Sequence, residues 1–216
     1  MRGSSTRRGE VVRSDLAGSA SVAAGDERGA VTRDKSDEAL ISKIASGNRL
    51  AIHVLFARHH TRVYRFILRM VGEAATADDL TSGVFLAVWR KAQRFERRCA
   101  PSTWLLAIAR RKTLAELRRR RQSLPDSGEA KQSYSRDDPE APFEAKRRRE
   151  ILRTCLTRLS GEQREVIDLV YYHEQSVHEV AEIVGIPRNT VKTRMFYARS
   201  KLAQLLAAQG IAPVSL

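Results

Sequence analysis

Ser160-Gly-Glu-Gln163 and Ser176-Val-His-Glu179 carry the same four-residue signal. In each, the Ser side chain accepts from the amide three residues on, while Gln or Glu reaches back to the Ser amide. Two helix starts are thereby fixed. Gly185-Ile-Pro187 then ends the second helix and opens a third, because glycine takes a left-handed turn and proline is preset for a helix start. Beyond it Val191, Met195, Ala198 and Leu202 recur at helical spacing and make one buried stripe. The segment folds as helix, tight turn, helix.

The other faces of that last helix carry Arg188, Asn189, Thr190, Lys192, Thr193, Arg194, Phe196, Tyr197, Arg199 and Lys201. A glycine-bearing turn followed by a basic second helix is a helix-turn-helix, whose second member lies in the DNA major groove. A basic helix face is often only solvated surface. The net charge of +14 weighs against that plain reading and points to a polyanionic partner. The charge lies on patterned helices rather than on one amphipathic anchor, so nucleic acid is the expected partner rather than a membrane surface. With 42% hydrophobic and 30% charged residues the composition is that of a globular protein. No apolar run reaches the roughly 18–20 residues that span a bilayer.

The fold class is all-α: two small helical domains joined by a flexible linker, the C-terminal one holding the helix-turn-helix. Residues 1–36 read as a disordered tail without an apolar signal region. Over 37–121, Leu40, Ile41, Ile44, Leu50, Ile52, Leu55, Phe56, Val63, Phe66, Ile67 and Met70 recur at helical spacing. Gly47 divides the first two helices, and Gly72 suits a left-handed cap. A third helix is expected to start at Asp78 or Asp79, with Leu80, Val84, Phe85, Val88 and Trp89 as its apolar side. A fourth is expected after Ser102 as N-cap. His59 and His60 read as surface residues, Cys155 as a core residue and Cys99 as a free loop thiol. Residues 122–145 are rich in Pro, Ser, Gly and acid and form the linker. The second helical unit spans 146–209, followed by a tail over 210–216. The sequence has no clustered carboxylates, no metal-ligand spacing and no paired nucleophile and base, so no catalytic residue, metal, cofactor or small-molecule substrate is expected.

The run LTRLSGEQREVIDLVYYHEQSVHEVAEIVGIPRNTVKTRMFYARSKLAQLL resembles region four of bacterial sigma factors of the extracytoplasmic-function group. ADDLTSGVFLAVWRKAQRF and, after a short loop, STWLLAIARRKTLAELRRRR resemble region two of the same group, in the family's order. The resemblance covers about residues 37–205. It implies a promoter-specificity subunit that acts on core RNA polymerase, through the clamp of the largest subunit and the flap of the second-largest. It implies no covalent chemistry. The chain is expected to be a monomer when free, cytoplasmic, and held by an anti-sigma factor, often at the inner membrane.

By match to the family, Lys192, Thr193, Phe196 and Tyr197 approach base edges of a duplex −35 element. Arg188, Thr190, Arg194 and Arg199 suit phosphates, and Asn189 lies beside them. The alternative for Phe196 is a cap on the domain core. The −10 element is assigned to Arg97, Arg98, Ser102, Thr103, Trp104, Arg110, Arg111, Lys112 and Arg118, in a stretch dense enough in arginine to read as a phosphate footprint. Trp104 equally suits an anchor in the core. Contact with core polymerase falls to Asp79, Leu80, Thr81, Phe85, Trp89 and Arg90, with Phe85 and Trp89 also fitting a core role. Ser82-Gly83 stands where the family usually has Gln-Glu, and Arg111 where Asn is common. In the linker, Asp126, Glu129, Asp137, Asp138 and Glu140 read as a solvated acidic tether. The competing class is a stand-alone helix-turn-helix regulator acting without polymerase.

Overall fold

Gly47 and Gly72 both adopt positive φ, at 87° and 74°, and they set the limits of a 23-residue helix. The computed structural model describes residues 36–123 and 143–210. Residues 36–45 form helix α1, and α2 runs Arg49–Val71, α3 Ala74–Lys91 and α4 Pro101–Ser123. A short 3₁₀ turn, Ala92–Arg94, follows α3. The second unit holds α5 (Phe143–Thr157), α6 (Gly161–Ile167), a π turn over Asp168–Tyr172, α7 (Val177–Val184) and α8 (Arg188–Ala207). Among the described residues there is no strand. The helices reach further into the 122–145 segment than the sequence suggests, ending at Ser123 and resuming at Phe143. The linker acids Asp126 to Glu140, and most of both tails, lie outside the described residues.

Local signals account for most boundaries. Asn48 caps α2 by accepting from the Ala51 amide at 3.0 Å, and the Gly72 amide closes its other end on the Leu68 carbonyl. Both Ser-x-x-Glu/Gln signals form full reciprocal capping boxes, at Ser160 and Ser176. Two expected starts move. Helix α3 begins at Ala74, after Glu73, so Asp78 and Asp79 lie inside it. Helix α4 begins at Pro101, with the Trp104 amide on the Ala100 carbonyl at 3.0 Å. Proline has no amide hydrogen to lose at that first position, and Ser102 becomes a buried helical residue rather than a cap.

Along α2 the buried line is Ala51, Leu55, His59, Val63 and Phe66. Leu50 lies one residue off that line and is 76% exposed, contrary to its place in the apolar pattern. His59 is buried, not on the surface, because a partner meets it there. Its Nε2 lies 2.6 Å from Asp37 Oδ2, and Arg58 donates to Asp37 Oδ1 at 2.7 Å. Burial pushes the Asp37 carboxyl up, but the hydrogen bonds from His59 and Arg58 outweigh it and hold the group below its ordinary value. The pair fastens α1 to α2.

The corner between α5 and α6 is tied by Arg164, which donates to the carbonyls of Leu156 (3.0 Å), Thr157 (2.9 Å) and Leu159 (3.1 Å). Cys155, near the end of α5, is buried. The two units do not stand apart. Leu105, Leu106 and Ile108 of α4 belong to the same buried cluster as Val166, Leu169, Val180 and Ile183.

Candidate nucleic-acid interface

Helix α8 buries Val191, Met195 and Ala198, with Leu202 half-buried against a second small cluster. That stripe fixes what points outward. Asn189, Thr193 and Phe196 fall opposite it on the helix, flanked by Lys192 and Tyr197. All five are exposed. Phe196 is 66% and Tyr197 58% exposed, in edge contact with each other at 5.6 Å. Phe196 is thus a surface residue rather than a cap on the core. Gly185 makes the turn at φ 75°, and Pro187 is the N-cap of α8. Arg188 lies 3.3 Å from His178 Nε2 across that turn, and Arg199 is exposed. Thr193 Oγ1 donates to the Asn189 carbonyl at 2.9 Å, while Thr190 is half-buried. Arg194 is set apart from the strip: it lies toward the core and pairs with Glu162 at 2.9 Å.

The second candidate set does not converge on one open face. Arg97, at φ 54°, donates to Ser42 Oγ at 2.9 Å, and Arg98 pairs with Glu96 at 2.6 Å. Ser102 and Thr103 are buried. Trp104 is half-buried and packs on Phe95, ring centroids 5.0 Å apart. Arg110 makes a two-pronged pair with Glu165, at 2.6 and 3.2 Å. Arg111 and Arg118 are exposed, and Lys112 is half-buried. The Lys112 ammonium lies 3.4 Å from where a Gly83 side chain would begin, so the missing side chain in α3 is the space that Lys112 fills. Arg119 and Arg120 both bind Glu116, at 2.7 and 3.1 Å. Those hydrogen bonds hold the Glu116 carboxyl down to about 2.

Of the set expected to meet polymerase, Asp79 and Arg90 are exposed, and Leu80 and Trp89 half-buried. Thr81 and Phe85 are buried. Thr81 donates to the Ala77 carbonyl at 2.7 Å, and Phe85 meets Phe56 at 4.8 Å between ring centroids. Both serve the domain core here. Leu86, which the sequence reading passed over, is 49% exposed on the same helix.

A further group of polar residues joins the units and was not foreseen. Arg62 donates to the His173 carbonyl, and Arg69 pairs with Asp168. The Arg69 guanidinium also lies over the Tyr172 ring, 4.1 Å from its centre. The His173 ring meets Phe66 edge-on at 5.4 Å. Thr103 Oγ1 lies 3.0 Å from both Gln175 Oε1 and Glu179 Oε1. The π turn presents this edge: its His173 amide reaches the Asp168 carbonyl at 3.2 Å, and Glu174 follows at φ 51°. One signal was present. Glu165 and Asp168 sit among Val166, Ile167 and Leu169, and acids so placed on an apolar helix need a basic partner.

Burial pushes the Cys99 thiol up, and the charges of Glu182 and Glu179 add to it; it is not an activated thiolate. Among the described residues no group of His, Cys, Asp or Glu is arranged to hold a metal. Likewise no helix there is long and apolar enough to cross a membrane.

Two family models match the chain: Sigma-70 region 2 over residues 55–123, and Sigma-70, region 4 over residues 149–202. The chain is 30% identical over 179 residues to the ECF RNA polymerase sigma factor SigL of Mycobacterium tuberculosis, covering 80% of this chain and 98% of SigL. It is also 30% identical over 183 residues to SigM of the same organism, covering 80% of this chain and 86% of SigM. Among solved structures, CnrH in complex with the cytosolic domain of CnrY superposes with a TM-score of 0.59 at 25% identity, over 80% of this chain and 97% of CnrH. The sigma factor RpoE of Bartonella quintana, solved with the anti-sigma factor NepR, shares the fold, with a TM-score of 0.58 at 22% identity over 72% of this chain and 96% of RpoE.

Proposed function

This chain belongs to the extracytoplasmic-function sigma factors of the sigma-70 family, and on that premise we propose how its residues divide promoter recognition. As a member, it directs transcription initiation with core RNA polymerase at promoter DNA; the family is not one of enzymes. The outward strip of α8, Asn189, Lys192, Thr193, Phe196 and Tyr197, reads the −35 element as duplex. Arg188 and Arg199 fix its register on phosphates. Lys192 donates to guanine acceptors, and Phe196 packs on a thymine methyl.

The region-two unit takes the −10 strand through Arg97, Arg98, Thr103, Arg110, Arg111 and Arg118. Thr103 and Arg110 must first give up their contacts with the other unit. Asp79, Leu80, Trp89 and Arg90, with Leu86 beside them, dock on polymerase. Strand opening draws on the preference of this surface for the unstacked strand. Two weak DNA modules on one polymerase raise each other's effective concentration. A protein partner of the kind that CnrY is to CnrH completes the reading.

The observation that carries the proposal is the pair Phe196 and Tyr197, exposed on a helix that buries Val191, Met195 and Ala198 on its other side. Run-off transcription with purified core polymerase on a linear template library of randomised promoters is the test. New, sequence-selective initiation on adding the chain is expected, and loss of selectivity at the −35 positions in Phe196→Ala. Absence of any initiation above core polymerase alone sinks the reading. The same assay disposes of the stand-alone regulator, which predicts no new initiation.

A further inference from the structure

The face along which α5 and α8 meet is covered at one end and open at the other. Leu156 and Ala198 are buried there, with Leu202 half-buried against them. Three residues further along α8, Leu205 is only half-buried, as is Ile151 on α5. Both line a groove of about 250 Å³, together with Cys155 and Ala208, and Arg147 and Arg158 are among its polar residues. That volume lies below the roughly 300–1,000 Å³ of small-molecule sites. The groove suits a few apolar side chains rather than a bound metabolite.

The last described residues lead the chain toward it. Gln209 is part of the lining. Gly210, at φ 73°, donates from its amide to the Ala207 carbonyl at 3.0 Å. A left-handed residue that closes on the carbonyl three back reverses the chain, and the residue after it commonly packs on side chains five and six before it. For Ile211 those are Leu206 and Leu205, and Leu205 lies in the groove. Pro213 then keeps the helix from resuming. The segment Ile211-Ala-Pro-Val-Ser-Leu216 carries no charge, and Ser215 is its one polar side chain, so seating it strips no ion of its water. Six extended residues reach about 20 Å, and they start two positions beyond a lining residue.

We propose that residues 211–216 fold back into the α5–α8 groove, with Ile211 on Leu205 and Val214 reaching Ile151. A second copy of the chain fits less well. The nine lining residues fall short of the roughly 20–30 that each side of a stable protein–protein interface uses, whereas a short tether gives the tail an effective concentration in the mM range. Seated there, the tail braces the last turns of α8 on α5. Twelve helical residues, about 18 Å, separate Gln209 from Tyr197, so the exposed strip stays open. Any apolar segment of another protein that uses the groove must first displace the tail.

The test is NMR on the full chain, labelled with ¹⁵N and ¹³C. In the wild type the amides of Ala212, Val214 and Ser215 are expected to have order parameters near those of α8, about 0.85 for rigid backbone. Nuclear Overhauser contacts are expected from the Val214 methyls to those of Ile151. Ile151→Asp, in the groove, and Val214→Asp, on the tail, should each lower the tail values below about 0.6 while α8 keeps its own. The tail variant guards against loss of α5 in the groove variant. Tail values below about 0.6 in the wild type overturn the inference, as does an ordered tail without contacts to Ile151. So does a tail that stays ordered in Val214→Asp. Contacts seen only between differently labelled chains, with a light-scattering mass of two, would give the groove to a second copy and overturn it as well.

Discussion

On α8 the basic residues Lys192 and Arg199 are exposed beside two exposed aromatic rings. Around α4, Arg98, Arg110, Arg119 and Arg120 each meet a carboxylate of the chain itself. The two regions look alike as sequence, since both are arginine-rich and helical. They differ in what the charge is facing. A count of arginines measures the capacity to bind phosphate, whereas the pairing state decides how much of it is on offer. The C-terminal face holds its exposed cations clear of carboxylates at Lys192 and Arg199, whereas four arginines of the N-terminal unit already have partners within the chain.

The largest effect separates platform from reading surface on α8. Met195→Ala should cost about 2–5 kcal/mol of stability, as for other buried methionines, read by urea unfolding. Phe196→Ala, one residue on, should change stability by less than about 0.5 kcal/mol while weakening −35 duplex binding. A Phe196 variant that unfolds would show the strip to be part of the core and end the contrast.

Next in size is base discrimination. Lys192→Ala should lose about 1–3 kcal/mol at one base position of the −35 element, measured by competition between single-base variants. A uniform loss across all sequences would move Lys192 to the phosphate group.

The third prediction concerns α3. Gly83→Ala should stabilise the chain by about 1 kcal/mol through helix propensity. The new methyl would meet the mobile end of Lys112 at 3.4 Å, an ordinary contact distance, so thermal unfolding should rise. A fall would mean that Lys112 has no other place to go.

The smallest effects lie at the end of α4. Replacing Arg118–Arg121 with Ala should lower the log–log salt slope of DNA binding by about two, for Arg118 and Arg121, rather than about four. By NMR titration the Glu116 carboxyl, whose ordinary value is 4.5, should be found at about 2. It should rise toward 4.5 in Arg119→Ala/Arg120→Ala. Because this value is depressed in the folded chain, what the pairing contributes is present above 4.5 and lost as pH falls through about 2. An unshifted Glu116 in the wild type would return those arginines to the DNA-binding side.

What the sequence disclosed was local. The boxes at Ser160 and Ser176, the left-handed Gly72 and Gly185, and the Val191–Ala198 stripe each depend on neighbours within a turn or two. The start of α3 was misplaced because Asp78 and Asp79 resemble an N-terminal charge pattern, while Glu73 begins the helix with no side-chain cap on its backbone. His59 and Leu50 were misread for a related reason. Periodicity shows that one helix face is covered, and a histidine with a distant Asp37 fills an apolar slot as readily as a leucine. The contacts of Arg69, Arg110 and Thr103 span 55 to 99 residues. No spacing rule reaches that far, so the face assigned to the −10 strand was legible in composition and illegible in its engagement.

One guanidinium, that of Arg164, serves three carbonyls where α5 ends and α6 begins. Helix α6 cannot fray at that corner without orphaning carbonyls at the end of α5, nor α5 without stranding the donors of Arg164. The amides of Cys155 through Ile167 should consequently surrender their hydrogens to deuterium as one cooperative block, and a single Arg164→Met exchange should split that block in two.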